Sequence, residues 1–112
     1  MKRIIEIKIE VTDAQIEEIL SSALTGMTYW ADDVYCPRTR NEPAPDLYMS
    51  ETLTHGYKLK IHDVEEDKWR ELTLTKFLKG LQLSPRFDYD DYDSLDAEQV
   101  VQKALFGKVV YA

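Results

Sequence analysis

The apolar residues of this chain change their spacing several times within 112 residues, and that switching limits the fold more than any single motif. From Arg3 to Val11 they alternate. Ile5, Ile7, Ile9 and Val11 share one face, and Ile4, Glu6, Lys8 and Glu10 the other. A period of two over this length predicts a half-buried β-strand. Thr12 and Gln15 then stand at the spacing of a capping box, in which hydroxyl and amide satisfy each other's orphan backbone donors. Ile16, Ile19, Leu20, Ala23 and Met27 follow at helical spacing, with Glu17, Glu18, Ser21 and Ser22 largely on the opposite face. Gly26 is expected to stop this helix, since glycine tolerates the left-handed cap conformation.

The period changes again downstream. Aromatic and β-branched residues predict a strand from Thr28 to Cys36, interrupted at Asp32-Asp33. Residues 37–47 contain Pro37, Pro43 and Pro45, which remove backbone donors and fix φ, so a loop without regular structure is expected. Residues 48–62 read as a strand pair broken near His55-Gly56, with Tyr57, Leu59 and Ile61 facing one way. Asp63 to Lys68 is a charged turn, and Trp69 to Thr73 returns as the next strand of a hairpin. Thr73 can cap a helix whose stripe is Leu74, Phe77, Leu78 and Leu81, with Gly80 weakening or ending it. Asp93 or Ser94 can cap a third helix. Ala97, Val100, Val101, Ala104 and Leu105 line its buried side, and Gly107 stops it. Lys108 to Tyr111 is predicted as a short closing strand. The resulting class is α+β: one domain over residues 1–112, with a mainly antiparallel sheet of about five strands and three short helices chiefly on one face. Ile7, Ile9, Ile19, Leu20, Leu59, Ile61, Phe77, Leu81, Val101 and Leu105 are expected to be mostly buried, because each lies on an apolar face or stripe.

Charge and composition exclude several functions. Lys and Arg number 14 against 21 Asp and Glu, a net charge of −7. Nonspecific binding to nucleic acid or anionic membrane needs clustered cations, and this chain does not supply them. No apolar run approaches the ~20 residues of a membrane span. The start, MKRIIEIKIEV, lacks the continuous apolar core of a signal peptide. Cys36 is the only cysteine, so neither an internal disulfide framework nor a multi-cysteine zinc site can form. A cytoplasmic location fits this usage.

Individual residues offer limited chemistry. His55 and His62 are seven apart, hence on opposite faces of any strand joining them, which argues against a shared metal. Cys36 could pair with either histidine as a nucleophile, although no activating context accompanies it. The acids from Asp88 onward miss the calcium-loop pattern: the fifth, sixth and twelfth positions are Tyr92, Asp93 and Gln99. No metal and no cofactor is expected.

Two groupings remain. Residues 84–99 hold five Asp and one Glu against one Arg, so −5 of the −7 lies there. Asp88, Asp90, Asp91 and Asp93 alternate with Tyr89 and Tyr92. Carboxylates spaced by rings resemble a nucleic-acid backbone in charge and suit a basic groove on a protein partner. A solvated loop is the plainer alternative. The second grouping is Tyr29, Trp30, Arg38 and Arg40. Its rings could stack a base and its arginines hold phosphate. A core-filling Trp30 and solvated arginines are the plainer alternative there.

The stretch YKLKIHDVEEDKWRELTLTKFLKGL at Tyr57–Leu81, the ending ALFGKVVY at Ala104–Tyr111 and the pair Tyr29-Trp30 resemble a group of small uncharacterised proteins. These belong to phages, prophages and mobile elements of gut Firmicutes and related bacteria. The likeness covers most of the chain except residues 37–47. Its motifs are structural, and no enzyme residue is carried over. The resemblance implies a mobile-element context inside a host bacterial cell, where small acidic proteins often inhibit host defence. The expectation is a non-enzymatic inhibitor that binds a nucleic-acid-binding effector, in the manner of an anti-CRISPR protein, through residues 88–93. The alternative is a sponge for a nucleotide second messenger, using Tyr29, Trp30, Arg38 and Arg40, with room for a homodimer. A small hydrolase ranks third.

Overall fold

Thr12 opens the first helix, α1 (Asp13–Gly26), with the capping box its spacing predicts. Its Oγ1 accepts from the Gln15 N–H at 3.1 Å, and the Gln15 side chain accepts from the Thr12 N–H at 2.9 Å. The computed structural model describes residues 1–3, 8–37, 46–84 and 92–112. After α1 the chain reverses tightly, with Trp30 and Ala31 both donating to the Met27 carbonyl. Three strands follow: β1 (Ala31–Tyr35), β2 (Leu59–Asp63) and β3 (Lys68–Leu72). They form one antiparallel sheet in the order β1-β2-β3. Val34 faces Ile61 across the first pair, and His62 faces Trp69 across the second. The register slips between Ala31 and Asp33, so Asp32 is a bulge residue.

Two further helices close the core. Thr73 caps α2 (Leu74–Gln82) by accepting from the Lys76 N–H at 3.2 Å. Asp93 caps α3 (Ser94–Phe106) by accepting from the Asp96 N–H at 2.7 Å. Gly107 ends α3 at φ 77°, a left-handed conformation that favours glycine. The core lies between one sheet face and the helices. Leu59, Ile61 and Leu72 meet Ile16, Ile19 and Leu20 of α1, Phe77 and Leu81 of α2, and Ala97, Val100 and Val101 of α3. Of the positions expected in the core, Ile9 and Leu105 are half-buried, and Ile7 lies outside the described residues. Among the described residues no helix is long and apolar enough to cross a membrane.

The α+β class stands, but the described residues contain three strands, not about five. In place of a strand before Gly56, two 3-10 turns cover Met49–Glu51 and Leu53–His55. Thr52 bonds back to the Met49 carbonyl at 2.7 Å, and Gly56 adopts φ 87°. Hydroxyls that bond their own backbone compete with sheet pairing, which is the cause here. Residues 108–111 form no strand either; a side chain from α3 takes their backbone groups, as described below. Of the predicted strand at 3–11, residues 4–7 lie outside the described residues and 8–11 carry no ladder. Most of the Pro-rich segment, 38–45, is outside them as well.

Two glycines prove to be contact sites. Gly26 does not adopt the left-handed conformation; Met27 caps α1 at φ −92°. A Cβ on Gly26 would collide with the Ser94 carbonyl, and one on Gly80 with the Val100 carbonyl. Both helices therefore approach α3 backbone to backbone. Gly80→Ala tests this. Helix propensity alone would stabilise the variant by up to ~1 kcal/mol. The collision should instead destabilise it by about 1–3 kcal/mol in urea unfolding. A gain in stability would contradict the close approach.

Candidate functional site

Of the acidic segment, Ser84 and residues 92–99 are described. Tyr92 is half-buried, and its hydroxyl donates to the Ser84 carbonyl at 3.3 Å. Asp93 is occupied as the α3 cap. Asp88, Tyr89, Asp90 and Asp91 lie outside the described residues, as do Arg38 and Arg40. One of the six acids in 84–99, Glu98, points inward and has no accessible surface.

Glu98 and Gln102, one turn apart on α3, organise the interior. The Trp30 Nε1–H donates to Glu98 Oε1 at 3.1 Å, and the Tyr29 hydroxyl donates to Glu98 Oε2 at 2.8 Å. Gln102, also without accessible surface, places its Nε2 within bonding distance of Glu98 Oε1, the Tyr29 oxygen and the Tyr111 carbonyl. Its Oε1 accepts from the Val110 and Tyr111 N–H groups, each at 2.8 Å. One amide side chain thus does for the tail what a neighbouring strand would do, and no closing strand forms. Burial, followed by the Glu98 hydrogen bond and charge, pushes the Tyr29 phenol up to about 12.

A second node joins the tail to the sheet. Tyr111 sets its hydroxyl at 2.9 and 2.8 Å from the two oxygens of Asp63, which is fully buried at the end of β2. Arg70 donates to the same carboxylate at 3.2 Å and lies 5.1 Å over the Phe106 ring. Burial alone would raise the Asp63 carboxyl, but hydrogen bonds from Tyr111, the Glu66 N–H and Arg70 hold it below the usual range. Burial and the Asp63 contact push the Tyr111 phenol up to about 12. Trp30 fills the space between the nodes, stacked on Tyr111 at 5.6 Å and edge-on to Phe106 at 6.0 Å. With no accessible surface, Trp30 has no face to offer a base; it takes the core-filling role. Of the nucleotide-binding set, Tyr29 is 46% exposed but has its hydroxyl committed to Glu98.

Sequence reasoning overlooked Glu98, Gln102, Asp63 and Tyr111. A signal existed: Glu98 and Gln102 stand four apart beside the Ala97–Val101–Leu105 stripe, on the side where Tyr29 and Trp30 needed polar partners.

The histidines are held apart. His62 Nδ1 lies 2.6 Å from Asp32 Oδ1, and its Nε2 lies 2.9 Å from Asp67 Oδ1. These two contacts, Asp32 first, raise its pKa above the ordinary 6.5. His55 Nδ1 lies 2.8 Å from the Glu51 carbonyl. Cys36 has its sulfur 4.0 Å from the Pro37 carbonyl. Among the described residues no group of three or more His, Cys, Asp or Glu could hold a metal ion.

Two outcomes follow from these contacts. Gln102→Leu leaves two amide donors without their acceptor, so stability should fall by at least about 2 kcal/mol. The Val110 and Tyr111 amides should lose hydrogen-exchange protection; unchanged protection would remove Gln102 as the tether. For His62 the folded pKa is the raised one. Its contribution is therefore complete below 6.5 and is lost as pH rises through the folded value. Between about pH 6 and about pH 9 the wild-type urea midpoint should fall relative to His62→Gln. Parallel midpoints across that range would rule out the clamp.

No family model, no curated protein and no solved structure matches this chain.

Proposed function

We propose that this protein is a non-enzymatic, mobile-element-encoded inhibitor of host defence that binds a basic, nucleic-acid-binding effector such as a CRISPR nuclease. One observation carries the proposal: five Asp and one Glu against a single Arg within residues 84–99 of a chain whose net charge is −7. Concentrated like charge costs self-repulsion, and the remainder of the chain is acidic enough for solubility without it. Asp93 has a structural task at the α3 cap, and Glu98 is inward. Asp88, Asp90 and Asp91 precede the α3 cap in sequence, so the capping task accounts for none of them. The hydrogen bond between Tyr92 and Ser84 joins the residues that flank 85–91. A nucleotide sponge is the weaker reading, because it would need Trp30 at the surface.

The test uses a purified CRISPR nuclease and a salt series. Rim charges act mainly on association rate, so Asp88, Asp90 and Asp91 changed together to Asn should slow binding and flatten its salt dependence. The urea midpoint of this variant, measured beside its binding, separates a loss of docking from a loss of fold. Arg38 and Arg40 changed to Ala should bind as the wild type does. Full binding by the aspartate variant with loss in the arginine variant would overturn the proposal in favour of a nucleotide ligand.

A further inference from the structure

The inner face of the sheet is filled by the core, but among the described residues none covers its outer face. Along β2 the residues alternate: Leu59, Ile61 and Asp63 are buried, whereas Lys60 and His62 are only half-buried. Register places Tyr35 opposite Lys60, Asp33 opposite His62, and His62 opposite Trp69, so these side chains share the outer face. Trp69 and Tyr35 meet edge to face at 5.2 Å, yet they remain 47% and 45% exposed. The two rings lie on the strands that flank β2, and exposed aromatic pairs are typical of protein interfaces.

Charge says what kind of partner fits. At one end of this face Asp33 is exposed, and Glu65 and Glu66 are exposed in the turn that follows β2. Asp32 and Asp67 are exposed there as well and clamp His62, whose ring lies 4.9 Å from Trp69. At the other end Lys58 and Lys60 share the Glu71 carboxylate at 3.4 and 3.1 Å. The face is therefore polar along its length, acidic beyond Trp69 and basic beyond Tyr35. Arg70 is bound to Asp63, and Lys68 is the exposed cation of this end, so the exposed acids Asp32, Asp33, Glu65, Glu66 and Asp67 outnumber it. A planar guanidinium suits this arrangement better than an ammonium. It stacks on an indole and forks to carboxylates at the same time.

We propose that the outer sheet face, with Trp69 and Tyr35 at its centre and Asp33, Glu65 and Glu66 at one end, docks an arginine-bearing surface of a basic protein partner. This rests on the partner-binding function proposed above and assigns it a second contact region, remote in sequence from residues 88–93. The clamp on His62 fixes the β1 bulge and the β2–β3 turn, at whose end Asp67 sits at φ 50°, and so holds the acidic end in place.

A labelled octa-arginine peptide is the probe, with octa-glutamate as the control. The wild type should bind octa-arginine and not octa-glutamate. Trp69→Thr with Tyr35→Thr should weaken binding about tenfold, the order expected for losing stacking under a guanidinium. Asp33→Asn, Glu65→Gln and Glu66→Gln together leave the His62 clamp and the core untouched, so this second variant reports on docking even if the first loosens the sheet. It should flatten the dependence of Kd on salt. Unchanged binding by both variants, with loss in the Asp88/Asp90/Asp91→Asn variant, would overturn the outer-face site and leave the basic-partner function standing. Equal affinity of the wild type for the two peptides would overturn both.

Discussion

Glu98 and Gln102 are a buried carboxyl and a buried amide one helical turn apart, and both the α1–β1 turn and the tail after α3 are tied to them. A polar group without accessible surface must find partners inside the protein, or it costs more than a mispacked methyl group. Glu98 finds Trp30 and Tyr29, which fixes the turn between α1 and β1 against α3. Gln102 finds the backbone of Val110 and Tyr111, which folds the tail back over the same helix. Such a network is costly to break at one member, because the partners left behind stay buried without a bond. α3 can hold this place because its neighbours come close. The absence of a side chain at Gly26 and Gly80 lets α1 and α2 lie against its backbone.

The second node completes the arrangement from the sheet side. Asp63 ends β2 as a buried carboxylate, and an ion of that kind is tolerable only with compensation. Arg70 on β3 supplies the charge, Tyr111 supplies a hydroxyl, and the turn after β2 supplies two backbone N–H groups. Tyr111 thus belongs to both nodes, by its backbone to α3 and by its hydroxyl to the sheet. Its ring and that of Phe106, 5.8 Å apart, enclose Trp30. The tail acts as a plug at the junction of helix and sheet.

What was legible in the sequence was local. Thr12, Thr73 and Asp93 cap their helices because a side-chain oxygen near three orphan donors acts over a few residues only. The β2–β3 hairpin and the Leu59–Ile61 face follow from alternation. Apart from the strand missing before Gly56, where Thr52 bonds back to Met49, the failures involve partners outside the local stretch. Val109 and Val110 favour a strand, and only Gln102 explains why they do not form one. Glu98 reads as one more acid of a charged stretch, because Trp30 and Tyr29, the partners that explain its burial, lie 68 and 69 residues away. Gly26 carried the composition of a helix stop, but its task is set by Ser94. For the candidate site, the charge excess was plain from composition, whereas the exposure of Trp69 and the burial of Trp30 depend on register and packing that periodicity does not distinguish.

The two tryptophans divide the protein into what it keeps for itself and what it offers. Trp30 has its ring enclosed and its N–H bonded to a carboxyl group, so it is consumed by the fold. Trp69 is held at its edges by Tyr35 and His62 and still leaves 47% of its surface to solvent. The carboxyl groups divide in the same way. Asp63 and Glu98 are buried among donors, while Asp33, Glu65 and Glu66 are exposed. Surface charge of one sign raises the rate at which an oppositely charged partner arrives but adds little to how long it stays. Residence requires desolvated contact area, and rings supply that at low entropic cost. For the basic partner proposed here, acids that hasten the encounter and rings that prolong it would have to act on one surface. The outer face of the sheet is where the described residues bring exposed rings and exposed acids together.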